Sequence, residues 1–109
     1  MTPHWETRLG GEIRNAAGER GESGCFDQRS PWLSVEGSAG GEGRAGVVLR
    51  PLSSTEACPW FTRDYGLHLY NPLRHHAVNL AAGDSMSWAM EIAAYDGART
   101  TEDLNGLFA

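Results

Sequence analysis

The chain of 109 residues contains no lysine: all nine of its basic residues are arginines, and they are scattered along the sequence. Fourteen acidic residues give a net charge of −5. A nucleic-acid-binding surface needs a clustered basic stripe that neutralises phosphates. The composition therefore argues against nucleic acid as a partner.

Long apolar runs are also missing. The runs that exist are a few residues long, whereas a membrane-spanning helix needs about 20 predominantly apolar residues. The first residues, MTPHWETRLGG, have neither a basic start nor the apolar stretch of a secretory signal. We therefore expect a cytoplasmic protein that makes no membrane contact.

Cysteine is scarce. Cys25 and Cys58 are too few and too far apart in sequence for a zinc knuckle. In a reducing compartment both are expected to be free thiols.

The sequence does contain a β pattern, interrupted by fourteen glycines and five prolines. Gly10-Gly11 marks a tight turn, and residues 16–30 read as a loop with one short pairing. Residues 31–36 alternate as a half-buried strand, and a glycine-rich connection leads to a strand at 45–52, which predicts a hairpin. Residues 60–71 read as an aromatic-rich strand with a bulge at Gly66.

The clearest alternation lies in residues 84–97. One face of this predicted strand carries four large apolar side chains, which we expect to lie in the core: Met86, Trp88, Met90 and Ile92. Thr100 with Asp103 forms a variant of the capping-box signature, and Leu104, Leu107 and Phe108 follow at helical spacing. The chain is therefore predicted to be all-β, an antiparallel sandwich with one short C-terminal helix.

The order of these segments resembles the C-terminal half of the PmoA-like family over about residues 8–108. The segments are GGEIRNAAGERGESGC, RSPWLSVEG, AGVVL, PWFTRDYGLHLYNPL and LAAGDSMSWAMEIAAYDG. The most specific match is Trp60 to Pro72, with Arg63, Asp64 and Gly66 in the order of the family. The resemblance implies a β-sandwich similar to that of galactose mutarotases. Family members also carry an N-terminal half that this chain lacks, so we expect residues 1–109 to be a single, incomplete domain completed by that half or by a homo-oligomer partner.

Residues 59–76 hold three of the four histidines and are the predicted site. Aromatic rings offer flat apolar surface to a sugar-like or polyol ligand, while charged groups fix its orientation. Trp60, Tyr65 and Tyr70 would form the platform, with Arg63 and Asp64 as orienting groups. Glu91 as base and His68 as acid form the one acid–base pair that could be nominated.

Two alternatives stand beside ligand binding. Asp64, His68, His75 and His76 carry groups that suit iron, copper or zinc, which would make the chain a metal-dependent oxidoreductase subunit. In the second alternative the chain is purely structural: the aromatics form core, and Arg63 pins the sheet near Gly66. No cofactor is predicted from any motif, and whether the chain is an enzyme stays open.

Overall fold

The computed structural model describes residues 5–6, 9–39, 43–52, 59–70 and 79–107. Its elements follow the order β1 (Glu12–Asn15), α1 (Gly21–Cys25), β2 (Leu33–Ser38), β3 (Arg44–Pro51), β4 (Trp60–Arg63), β5 (Leu67–Tyr70), β6 (Met90–Asp96) and α2 (Thr101–Gly106). A four-stranded sheet has the order β1-β2-β3-β6, and β4 pairs with β5 in a two-stranded sheet. Every pairing is antiparallel. The predicted all-β fold, with two antiparallel sheets and a short C-terminal helix, is confirmed.

The two faces of the four-stranded sheet are covered by different elements. On the side that we call the hairpin face, Ile13 and Leu33 pack with Trp60 of β4 and with Cys25 of α1. On the opposite side, the helix face, Trp32 and Val48 pack against Leu104 of α2. Side chains alternate between the two faces along each strand, so β3 contributes Leu49 to the hairpin face and Val48 to the helix face.

β2 is buried on both of its faces, so the prediction of a half-buried strand is wrong. Leu33 and Val35 lie on the hairpin face, while Ser34 and Glu36 are equally inaccessible on the helix face. The alternation of the sequence was read correctly, but both faces of β2 are covered. The predicted hairpin between β2 and β3 is confirmed, with Val35 opposite Val47.

Residues 60–70 form a hairpin rather than one strand with a bulge. Trp60 pairs with Tyr70 and Thr62 with His68, so the chain reverses between them. Gly66 has φ of +98° in the turn, and its N–H donates to the Arg63 carbonyl at 3.1 Å. Glycine adopts this left-handed conformation without a steric cost, which explains its presence at the reversal.

Residues 16–30 were predicted to form a loop with one short pairing, but they contain the helix α1, so the loop prediction is wrong for Gly21–Cys25. Two isolated antiparallel β-bridges join main-chain segments here, one between Arg14 and Arg20 and one between Arg29 and Pro59, just before β4. Arg20, the N-cap residue of α1, makes no side-chain cap bond. The helix depends instead on a contact from the hairpin turn, which is described below.

The apolar side chains of residues 86–92 are exposed, so their predicted place in the core is wrong. Met86, Trp88, Met90 and Ile92 all retain a large accessible surface. Met90 and Ile92 lie on β6 at the edge of the four-stranded sheet. Met86 and Trp88 precede this strand, which begins at Met90 and not at residue 84 as predicted. The core cluster under the hairpin extends as far as Leu49 of β3, and among the described residues it does not reach β6.

The C-terminal helix α2 begins as predicted. The Thr100 side chain accepts from the Asp103 N–H at 3.0 Å, and the Asp103 carboxylate accepts from the Thr100 N–H at 3.1 Å. Leu104 is buried, Leu107 is exposed, and Phe108 lies outside the described residues. No helix in the described part of the chain is long and apolar enough to span a bilayer.

Candidate functional site

The structure places the predicted aromatic platform partly in the core. Trp60 is fully buried, and its indole N–H donates to the Ser30 carbonyl at 3.0 Å. The Tyr70 ring packs edge-on against it, with centroids 5.2 Å apart. Tyr65 is exposed in the hairpin turn. These three rings therefore do not form one accessible surface.

Arg63 and Asp64 join the hairpin to α1. The Arg63 guanidinium lies over the rings of Phe26 and Phe61, 4.6 and 4.9 Å from their centroids, and 3.6 Å from a Glu22 carboxylate oxygen. Asp64 accepts a hydrogen bond from the Glu22 N–H at 3.1 Å. Both residues thus make structural contacts, whether or not they also orient a ligand.

The predicted acid–base pair does not come together. His68 pairs with Thr62 on the side of the hairpin that carries Trp60 and faces the sheet. Glu91 lies opposite Arg50 and forms an ion pair with it at 2.9 Å, on the helix face of the same sheet. The four-stranded sheet separates the two groups, because adjacent register positions alternate between faces.

The His68 imidazole has one partner and one buried nitrogen without a partner. Its Nδ1 lies 2.6 Å from the Thr62 hydroxyl oxygen, and its Nε2 makes no hydrogen bond to the described residues. Burial lowers the pKa of His68 from 6.5 to about 4. The ring is therefore neutral at pH 7, with one nitrogen as a hydrogen-bond donor and the other as an acceptor.

Metal binding by the predicted cluster stays a prediction. His75, His76 and Cys58 lie outside the described residues. Among the residues that the structure does describe, no group of three histidine, cysteine or carboxylate side chains could hold an ion. Cys25 is a free thiol, and burial raises its pKa to about 11, so it is not a reactive nucleophile at neutral pH.

A groove of about 320 Å³ lies at the carboxyl-terminal end of β6, and we call it the Trp5 groove. Its lining consists of two aromatic rings, small or branched apolar residues and one carboxylate: Trp5, Ala45, Gly46, Val47, Ala94, Tyr95 and Asp96. The Trp5 indole N–H donates to the Ser38 carbonyl at 3.0 Å, which fixes the ring at the wall. The size lies at the lower end of small-molecule sites, about 300–1,000 Å³.

Two glycines position the aromatic rings of this groove. A Cβ atom at position 37 would lie 2.6 Å from Trp5 Cδ1, and a Cβ at position 46 would collide with the Tyr95 phenol. Gly46 stands directly opposite Tyr95 in the β3–β6 ladder, so the ring lies across the space that a side chain would fill. The two glycines therefore leave room for the Trp5 ring over Gly37 and for the Tyr95 ring over Gly46 on the other face of the sheet.

Tyr95 connects the groove to a buried charge on the helix face. Its hydroxyl donates to Glu36 Oε1 at 3.0 Å, and the Arg99 N–H donates to the same oxygen at 3.1 Å. Arg44 Nε donates to Glu36 Oε2 at 3.2 Å, and Arg14 Nη2 lies 3.6 Å from Oε1. Burial and the Glu36 charge raise the pKa of Tyr95 to about 12. The phenol is therefore a fixed hydrogen-bond donor rather than an acid–base group.

A second groove of about 350 Å³, the α2 groove, lies between β6 and α2. It shares Ala94, Tyr95 and Asp96 with the Trp5 groove and adds Arg99, Asp103 and Leu107. Asp103 is engaged as the helix cap and Arg99 Nε donates to the Asp96 carbonyl at 3.2 Å. The polar groups of this groove are thus occupied in holding α2, which leaves the Trp5 groove as the better candidate site.

None of the groove residues Trp5, Tyr95 and Asp96 was predicted from the sequence as a site residue. These residues lie near opposite ends of the chain, and their proximity depends on the pairing of β6 with β3. The available signal was weak: Gly37 and Gly46 interrupt otherwise regular strand patterns, and a strand glycine often marks the close approach of another group.

The chain belongs to a family of unknown function (DUF6807), whose profile matches residues 1–109. No curated protein and no solved structure matches the chain. The family assignment rests on the whole sequence and carries no activity with it.

Proposed function

We propose that this chain binds a small, neutral, hydroxylated molecule of about monosaccharide size, and that the Trp5 groove is its site. The observation that carries this proposal is the combination in one groove of the Trp5 indole, a floor of small apolar residues and the Asp96 carboxylate. Sugar rings offer apolar C–H faces that stack on aromatic rings and hydroxyls that donate to carboxylates. The groove presents both kinds of partner.

The charges of the groove favour a neutral ligand over an anionic one. Among the described residues that line the groove, Asp96 alone is charged, and the chain carries a net charge of −5. An acidic sugar would meet like charge at this position, and nearby like charges disfavour binding. A neutral hexose or polyol can donate to Asp96 without that penalty.

The β4–β5 hairpin, where the sequence predicts the site, is the competing location for the same function. Tyr65 is the exposed ring there, and it adjoins Asp64 in the turn. Trp60 supports the hairpin from within the core and Tyr70 is half-buried against it, so Tyr65 is the most accessible of the three predicted rings. We therefore favour the Trp5 groove, and variants of Trp5 and Tyr65 distinguish the two locations.

We also propose that the chain is related to PmoA-like proteins and that it is cytoplasmic. Kinship with PmoA-like proteins is supported by the residue order from Trp60 to Pro72, and a cytoplasmic location fits the reduced Cys25 thiol. The oxidoreductase alternative depends on His68 acting with His75 and His76, and elemental analysis of the purified protein would test it. Stoichiometric iron, copper or zinc would favour that alternative over sugar binding.

Calorimetric titration with a panel of neutral monosaccharides, sugar alcohols and the matching uronic acids tests the proposal. We expect at least one neutral member to bind at up to millimolar concentration and its uronic acid to bind more weakly. Trp5→Ala should abolish the heat of binding, Asp96→Asn should weaken it and remove the discrimination against the acid, and Tyr65→Ala should leave it unchanged. Absence of binding across the panel would contradict the function, whereas loss of binding in Tyr65→Ala alone would move the site to the hairpin.

A further inference from the structure

The Trp5 ring reaches its groove from a tight turn that precedes β1. We call the described residues 5–6 and 9–11 the N-terminal turn. The Glu6 carbonyl accepts hydrogen bonds from the N–H groups of Leu9 and Gly11 at 2.9 and 3.0 Å. A Cβ atom at position 11 would collide with the Trp5 carbonyl, so the two main-chain segments are in direct contact. The turn is thus compact, and a shift of its glycine end moves Trp5 with it.

Hydrogen bonds at both ends of the N-terminal turn fix it to one cross-strand pair of the sheet. Ser38 and Arg44 stand opposite each other in the β2–β3 ladder. The Ser38 carbonyl accepts from the Trp5 indole N–H at 3.0 Å. The two Nη atoms of Arg44 both donate to the Gly10 carbonyl, each at 3.4 Å. The sheet therefore holds one end of the turn by its aromatic ring and the other end by its main chain.

The Arg44 guanidinium also connects the N-terminal turn to the buried carboxylate of Glu36. Arg44 Nε donates to Glu36 Oε2 at 3.2 Å, so the nitrogens of one planar group contact both partners. The Glu36 side chain is 4% exposed and the Arg44 side chain 33% exposed. The other Glu36 oxygen accepts from the Tyr95 hydroxyl at 3.0 Å. One buried carboxylate thus fixes Tyr95 directly and, through Arg44, the turn that carries Trp5.

We propose that Arg44 is a positioning residue of the Trp5 groove, whose guanidinium holds the N-terminal turn against Glu36 and so fixes the Trp5 ring. Arg44 is not among the described residues that line the groove, so it acts through Trp5 and not on a ligand. A ring that is ordered before a ligand arrives costs no further ordering on binding, which raises affinity. The effect on affinity rests on the function proposed above, whereas the effect of Arg44 on Trp5 does not.

A second arginine of β3 provides a matched control. Arg50 lies on the same face of the strand as Arg44, because the two positions are an even number of residues apart. It forms an ion pair with Glu91 at 2.9 Å, and its side chain is 31% exposed. The six residues between the two arginines span about 20 Å of strand. Arg50→Met therefore removes a similar charge and ion pair far from the N-terminal turn.

Hydrogen exchange of the indole N–H groups, followed by NMR, tests the proposal in the full chain without a ligand. Trp5 and Trp60 each donate to a main-chain carbonyl, but Trp60 lies in the core, so its exchange reports unfolding of the whole fold. In Arg44→Met we expect the Trp5 indole to exchange about fivefold faster or more, the effect of losing one hydrogen bond. Arg50→Met should leave the Trp5 exchange rate unchanged.

Arg44→Lys is a second variant that separates positioning from stability. A lysine ammonium keeps a positive charge beside Glu36, but it lacks the planar set of donors that contacts Glu36 and Gly10 together. We expect the Trp5 exchange rate to rise in this variant while the Trp60 rate keeps its wild-type value. An unchanged Trp5 rate in both Arg44 variants would overturn the proposal, as would an equal rise of the Trp5 and Trp60 rates in Arg44→Lys.

Calorimetric titration with glucose and sorbitol, a neutral hexose and a sugar alcohol, relates Arg44 to the proposed function. Where the wild type binds either probe, Arg44→Lys should weaken binding about fivefold or more, and Arg50→Met should leave the affinity unchanged. Equal affinity of Arg44→Lys and the wild type would overturn the positioning role at the groove. A wild type that binds neither probe, together with faster Trp5 exchange in Arg44→Lys, would count against the proposed function and still support the effect of Arg44 on Trp5.

Discussion

Glu22 and Asp64 exchange hydrogen bonds between side chain and main chain in both directions. The Glu22 N–H donates to Asp64 Oδ1 at 3.1 Å, and the Asp64 N–H donates to Glu22 Oε1 at 3.3 Å. Glu22 lies in the first turn of α1, and Asp64 lies in the turn between β4 and β5. Asp64 therefore acts as the cap that α1 lacks in its own sequence, and it fixes the hairpin to the helix.

Replacing Asp64 by alanine should destabilise the fold, because one first-turn N–H of α1 then loses its acceptor. Loss of a capping side chain costs about 0.5–2 kcal/mol, and we expect the free energy of unfolding in urea to fall by about 1 kcal/mol. Asp64→Asn retains an acceptor oxygen and should recover part of the loss. Asp84→Ala is the control, since it removes the same charge from an exposed position away from α1.

An equal loss of stability in Asp64→Ala and Asp84→Ala would show that charge, rather than the cap, is responsible. A ligand-orienting role for Asp64 makes a different prediction, namely an unchanged unfolding midpoint in the absence of ligand. The urea series therefore distinguishes the structural from the binding role of this residue without knowledge of the ligand.

His68 should make the stability of the protein depend on pH in the weakly acidic range. Its folded-state pKa of about 4 lies below the ordinary value of 6.5, because burial disfavours the charged ring. The unfolded chain takes up a proton between these values and the folded chain does not. This contribution to stability is therefore fully present above pH 6.5 and is lost as the pH falls toward 4.

Urea unfolding of wild type and His68→Gln at pH 7, pH 6 and pH 5 measures this contribution. The wild type should lose more stability across the series than His68→Gln, which has no proton to take up. Carboxylates titrate in both proteins, so the difference between the two curves isolates the imidazole. Parallel curves, or an NMR titration of His68 near the ordinary value, would contradict the buried, neutral ring.

Local features of the sequence were sufficient for much of the fold. The Thr100–Asp103 capping box involves residues three positions apart, and it forms as predicted. The β2–β3 hairpin follows from two alternating segments joined by a short glycine-rich connection. In both cases the interacting groups lie close together in the chain, so the sequence pattern contains most of the information.

Other features of the fold could not be predicted, because they depend on which strands pair and which segments come into contact. A glycine with positive φ suits a bulge as well as a turn, and the pairing of Trp60 with Tyr70 is what makes Gly66 a turn residue. The alternation around Ile92 showed which side chains share a face, but nothing in it reveals that the hairpin stops short of β6. The Trp5 groove likewise depends on a contact between the two ends of the chain.

The buried carboxylate of Glu36 should be the most sensitive single position on the helix face. Its two oxygens accept hydrogen bonds from the Tyr95 hydroxyl, the Arg99 N–H and Arg44 Nε. Arg14 is buried beside it, and Arg14 Nε and Nη2 make no hydrogen bond to the described residues. Glu36 is thus the counter-charge that allows Arg14 to be buried.

Glu36→Ala should therefore lower the free energy of unfolding by about 3–5 kcal/mol, the usual effect of leaving a buried charge unpaired. Tyr95→Phe removes one of several donors and should cost about 1.5 kcal/mol. The pKa of Tyr95 is raised to about 12, so this phenol contributes stability below pH 10 that is lost as the pH rises through 12. Tyr95→Phe should therefore lose less stability above pH 10 than the wild type does. Urea unfolding at pH 7 measures both variants. If Glu36→Ala costs no more than Tyr95→Phe, then the burial of Arg14 does not depend on this carboxylate. If Arg14→Met restores stability in the Glu36→Ala background, then the unpaired guanidinium was the cause of the loss.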